Sequence, residues 1–137
     1  MSRDDILKQY KLSAAELGNS ISKEPMQCAL DYAFGRIGGK YKGRVIFNLR
    51  KGPLRYGELK RRISGVMPKM LTQVLRDLER DGLIIRTKFK EVPLRVEYEL
   101  TPDAIRLVPF LNLISGWGRE QMSINGISAY PPEDDFS

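Results

Sequence analysis

Between Pro68 and Leu100 the apolar pattern changes its period, and this change limits the chain to few folds. From Pro68 to Asp81, Leu71, Val74, Leu75 and Leu78 recur every three or four residues, the repeat of a helix buried along one side. Gly82 follows where a helix takes its left-handed terminator. From Arg95 to Leu100, Val96, Tyr98 and Leu100 alternate strictly with Arg95, Glu97 and Glu99, as in a strand covered on one face. The stretch from Leu83 to about Phe89 also has strand character. Lys90-Glu91-Val92-Pro93 between the two is short enough for a hairpin, and Pro93 suits a turn better than a ladder.

The flanking segments are helical in pattern. Ile6, Leu7, Tyr10, Leu17 and Ile21 mark an N-terminal arm, interrupted by Gly18-Asn19. A helix is predicted from Pro25, with Met26, Ala29, Leu30, Ala33, Phe34 and Ile37 on one face, stopped by Gly38-Gly39. Two further helices follow, one from about Tyr41 to Gly52-Pro53 and one from Tyr56 or Gly57 to Ser64-Gly65. Thr101 is placed to cap a last helix with Pro102 at its first position, and Pro109 is expected to kink it. The expected fold is therefore α+β and mostly helical. It has a two-stranded wing after a helix-turn-helix, and added N- and C-terminal dimerisation helices. The expected boundaries are an arm over 1–24, a main domain over 25–120 and a tail over 121–137.

Composition removes several chemistries. With 137 residues and 42% hydrophobic content, the chain suffices for one domain with a real core. It has no histidine, which excludes histidine-based catalysis and histidine-ligated zinc. Cys28 is its one cysteine, so neither an internal disulfide nor a multi-cysteine metal site is available within one copy. No paired acid-base constellation is apparent, and no enzyme activity, cofactor or metal is expected. The acidic start, Asp4-Asp5, and the interruption of Leu107 to Gly118 by Pro109 and Asn112 predict a cytoplasmic protein without membrane partners.

The formal charge of +6 conceals an asymmetry. Between Arg36 and Arg95 there are 17 Lys and Arg against 5 Asp and Glu, while the flanks carry a net negative charge. A basic centre suits a polyanion, because neutralising phosphates releases counterions. Helices followed by a hairpin and a closing helix form a winged helix-turn-helix arrangement, whose second helix fits the DNA major groove. The Pro68 to Asp81 helix carries Lys69, Thr72, Gln73 and Arg76 opposite its leucines. Arg76 and Lys69 are suited to guanine or phosphate, Gln73 to adenine, and Thr72 to phosphate or a thymine methyl. Arg86, Lys88, Lys90 and Arg95 on the hairpin, with Arg55 ahead of the preceding helix, are candidates for backbone or minor-groove contact.

Several motifs together resemble the HxlR-type winged-helix transcription regulators, relatives of MarR-type proteins. They are Ile37-Gly38-Gly39-Lys40-Tyr41-Lys42, Gly52-Pro53-Leu54-Arg55-Tyr56-Gly57-Glu58-Leu59 and Lys69-Met70-Leu71-Thr72-Gln73. Asp81-Gly82-Leu83-Ile84, the wing from Glu91 to Tyr98, Leu100-Thr101 and Trp117-Gly118 continue the match, over roughly Cys28 to Gly118. The resemblance implies a dimeric, cytoplasmic, DNA-binding regulator. Tyr41 and Tyr56 stand where the family usually has Trp and Phe. Met67-Pro68 stands where a Ser-Glu or Ser-Gln pair commonly opens the recognition helix. Cys28 occupies the place of the sensing cysteine of redox-responsive members, followed by Ala29 rather than proline.

The expected function is sequence-specific binding of double-stranded DNA by a homodimer reading a palindromic operator, under control of an oxidant, a small effector or neither. Ile105, Leu111, Ile114 and Trp117, on an apolar stripe with little core left to cover, are the expected dimer contacts. Cys28 is expected either to sense oxidants or to pack as a small apolar residue. The alternative is a protein–protein module whose basic face docks an acidic partner.

Overall fold

The computed structural model describes residues 28–129. The expected arm, Pro25 and the residues from 130 onward lie outside them. The chain divides into two units between Phe34 and Gly35, within its first described helix. That helix is α1 (Ala29–Ile37). Cys28 is its N-cap, because the Tyr32 amide donates to the Cys28 carbonyl at 3.0 Å. Of the expected apolar face, Leu30 and Phe34 are exposed, whereas Ile37, in the second unit, is buried.

The second unit continues with α2 (Lys42–Asn48), a 3₁₀ turn (Leu49–Lys51), β1 (Leu54–Arg55), α3 (Tyr56–Arg62) and α4 (Pro68–Arg80). After these come β2 (Ile84–Phe89), β3 (Arg95–Leu100), α5 (Pro102–Ile105) and α6 (Val108–Ile124). The sheet is antiparallel in the order β1-β3-β2, so the two-stranded wing gains a third strand on its inner side. Leu54 pairs with Tyr98 and Arg55 with Glu97. Two residues are too few to show a period, which is why β1 left no sequence signal.

The core joins every layer of this unit. Ile46, Leu49, Leu59, Ile63, Leu71 and Leu78 are almost completely buried, drawn from α2, the 3₁₀ turn, α3, α4 and the residue after α3. Gly82, at φ +73°, ends α4 in the left-handed conformation a side chain disfavours, and turns the chain into β2 within two residues. The Leu83 amide donates back to the Leu78 carbonyl at 2.9 Å and closes that end. Thr101 caps α5 as expected, its hydroxyl accepting from the Ala104 amide at 3.3 Å and donating to the Gly82 carbonyl at 2.8 Å.

Pro109 does not kink one long helix. Instead the chain breaks at Arg106 and Leu107, and α6 starts afresh with Pro109 in its first turn. A continuous helix would need a Pro109 amide hydrogen for the Ile105 carbonyl, and proline has none. At the other end α6 runs on to Ile124, past residue 120.

Candidate nucleic-acid interface

Helix α4 separates its two faces sharply. Leu71, Val74, Leu75 and Leu78 are buried, while Lys69, Gln73 and Arg76 are exposed and Thr72 is half-buried. Burying four aliphatic side chains at about 1.5–3 kcal/mol each holds the helix down, so its outer face is free of structural duty. Tyr56 on α3 fixes the start of α4: its hydroxyl donates to the Pro68 carbonyl at 3.0 Å and lies 3.5 Å from the Thr72 hydroxyl. On the other side, the Tyr41 hydroxyl donates to the Gly65 carbonyl at 3.3 Å. Two hydroxyls thus brace the turn between α3 and α4, and neither role was visible in the sequence.

The outward residues differ in availability. Lys69 and Arg76 form no ion pair among the described residues. The Gln73 amide nitrogen donates to Asp77 Oδ1 at 2.9 Å, and Asp77 also pairs with Arg80 at 3.2 Å. Any adenine contact through both amide atoms of Gln73 requires that bond to be exchanged. Asp77, a carboxylate beside the reading face, went unremarked in the sequence pattern.

The basic centre divides the same way. Arg36 pairs with Asp81 at 3.1 Å, and Arg44 donates to the Ser64 carbonyl at 3.2 Å. Arg50 stacks 4.3 Å over the Phe47 ring, donates to the Phe47 carbonyl, and has its pKa lowered by burial and then by Arg62. On the wing, Arg86 and Lys88 of β2 and Lys90 of the turn are exposed and form no ion pair among the described residues. Arg95 is different. Its guanidinium lies 3.9 Å over the Phe89 ring and meets Glu91 at 3.1 Å and Glu97 at 3.7 Å. It clamps the hairpin rather than projecting from it. Arg55 is exposed, and its backbone amide donates to Glu58 Oε1 at 3.1 Å, which sets the start of α3.

Helix and wing meet across an open groove of about 300 Å³, lined by Tyr56, Thr72, Arg76, Glu79, Arg86 and Tyr98. Arg76 from α4 and Arg86 from β2 therefore border one opening, with the Glu79 carboxylate beside them. The expected dimer contacts also separate. Ile105, Ile114 and Trp117 are exposed, but Leu111 is a core residue at 9% exposure. Its terminal methyl lies 3.8 Å from where a side chain on Gly43 would begin, so Leu111 packs onto α2 and is not available to a second copy. Cys28 is exposed.

No described helix is long and apolar enough to cross a membrane, and the described residues hold no cluster suited to a metal. A family profile for HxlR-like helix-turn-helix proteins matches residues 36–125. An uncharacterised HTH-type transcriptional regulator of Methanothermobacter thermautotrophicus is 40% identical over 102 residues, which are 74% of this chain and 78% of that protein. The HTH-type regulator YkvN of Bacillus subtilis is 43% identical over 91 residues, 66% of this chain and 77% of the relative. Among solved structures, the reduced form of the redox regulator HypR superposes with a TM-score of 0.68 at 31% identity, covering 72% of this chain and 98% of that one. The reduced form of the regulator YodB from B. subtilis gives 0.61 at 29% identity, over 69% and 94%.

Proposed function

The chain belongs to the HxlR-like helix-turn-helix family of transcriptional regulators, and on that premise we propose that it binds a palindromic duplex operator as a homodimer. The observation carrying this reading is the exposure of Lys69, Gln73 and Arg76 over four buried aliphatic residues of α4. In it α4 enters the major groove, Arg76 and Lys69 meet guanine or phosphate, and Thr72 meets backbone from its half-buried position. Arg86, Lys88 and Lys90 lie along the neighbouring backbone, Arg55 adds a phosphate contact, and Arg95 keeps the wing in shape. Catalysis has no part in this role, and the cytoplasm is its setting.

The dimer is supported by α6, where Leu113, Ile114 and Trp117 are exposed together with Ile105 of α5. Two α4 helices then read half-sites about 34–36 Å apart. Fluorescence anisotropy on genomic fragments at moderate salt tests the proposal: one fragment class is bound in preference to random duplex, with affinity falling steeply as salt rises. Equal binding of all fragments would reject sequence-specific regulation and leave a basic docking face.

Control by thiol oxidation rests on Cys28, exposed at the N-cap of α1, and on the likeness to structures of proteins named as redox regulators. Anisotropy before and after diamide, with Cys28→Ser alongside, decides it. A response in the parent protein that the variant lacks supports sensing, and an unchanged affinity in the parent removes it.

A further inference from the structure

The first turn of α4 breaks two local rules at once. Met67 is its N-cap, with the extended backbone (φ −81°, ψ 148°) that a capping residue adopts, yet no side chain caps the helix. Serine, threonine, aspartate or asparagine there would satisfy an amide that methionine leaves open. Met67 is also 69% exposed, and Met70, one turn further on, is 48% exposed. The fold gains neither a cap nor core packing from these two side chains. Departures of this kind collect where a surface is shaped for a partner.

The partner surface must be anionic overall and apolar in spots. Lys69 lies between the two methionines in sequence, and Arg76 is exposed further along the helix. The duplex major groove combines phosphate walls with a single apolar group on its base edges, the C5-methyl of thymine. Resting on the DNA-binding reading above, we propose that Met67 and Met70 read thymine methyls at the edge of each half-site. The unbranched, polarisable thioether adapts to a methyl group without demanding one fixed geometry. These apolar contacts then discriminate base pairs other than the one within reach of Arg76 in the same half-site.

The experiment replaces thymines one at a time by deoxyuridine in a duplex selected from a random pool by the intact protein. This removes one methyl and no hydrogen-bonding group. We expect one or two sensitive thymines per half-site, each weakening binding by about fourfold, the worth of one buried methyl. Met67→Ser and Met70→Ser each abolish the deoxyuridine penalty at their own position, while Met70→Leu retains it. Met67→Ser also raises Tm by supplying the missing cap, so weaker readout accompanies a more stable fold. A selected duplex indifferent to every deoxyuridine, or a penalty that survives in both serine variants, overturns this inference alone. A change in solution mass of the serine variants without DNA overturns it in favour of contact between copies. Failure to select any duplex overturns the DNA-binding reading and this inference together.

Discussion

Helices α4 and α6 both pack apolar residues into the core, but α4 is apolar along one side whereas α6 carries further apolar residues on the side away from Leu111. All four aliphatic residues on the inner side of α4 are buried, whereas α6 buries Leu111 and leaves Leu113 76% and Trp117 63% exposed. A helix whose apolar side is satisfied by its own core presents a polar face to solvent, the face that the proposed function gives to DNA. A helix with apolar surface to spare is what the proposed dimer needs. The comparison teaches that an inward apolar face alone does not say whether a helix awaits a partner; the difference lies in whether apolar residues remain outside the face that the core covers.

Leu71→Ala strikes the satisfied helix and has the largest expected effect, a loss of about 2–5 kcal/mol in denaturant unfolding. Its counterpart, Leu113→Asp, is expected to leave the circular dichroism spectrum intact while halving the mass in sedimentation. Without the second half-site, operator binding then weakens by roughly a hundredfold or more. Should Leu113→Asp unfold the protein instead, the distinction between the two helices fails.

Arg76→Ala sharpens the α4 side. A loss of about 1–3 kcal/mol confined to one base position marks a base contact, and a uniform loss across sequences marks a phosphate contact. The smallest effect is expected at the wing. Lys88→Ala lowers the slope of log affinity against log salt by about 0.9 for each phosphate that the lysine neutralises. Measuring that slope over several salt concentrations checks it, and an unchanged slope would remove Lys88 from the interface.

Much of the site was legible because α4 is regular. Its repeat placed Leu71, Val74, Leu75 and Leu78 inward and Lys69, Gln73 and Arg76 outward, as the structure has them. The wing strands were legible from their alternation, and Gly82 from its position after the last leucine. Leu111 misled because it continues the same stripe as Ile114; only its contact with α2 separates the two. Arg95 and Lys88 are both basic strand residues, but one faces Phe89, Glu91 and Glu97 and the other faces solvent.

By itself the sequence determined the order of helices α1 to α4 and strands β2 and β3, the inward face of α4 and the concentration of positive charge at the centre, because these depend on neighbours within a turn or a pleat. Only the tertiary structure decided that β1 joins the sheet, that Tyr41 and Tyr56 brace the turn before α4, and that Leu111 belongs to the core. It also decided which arginines are held by carboxylates, carbonyls or rings. Most of those outcomes join segments well separated along the chain, and local periodicity carries no information about which distant groups packing will bring together.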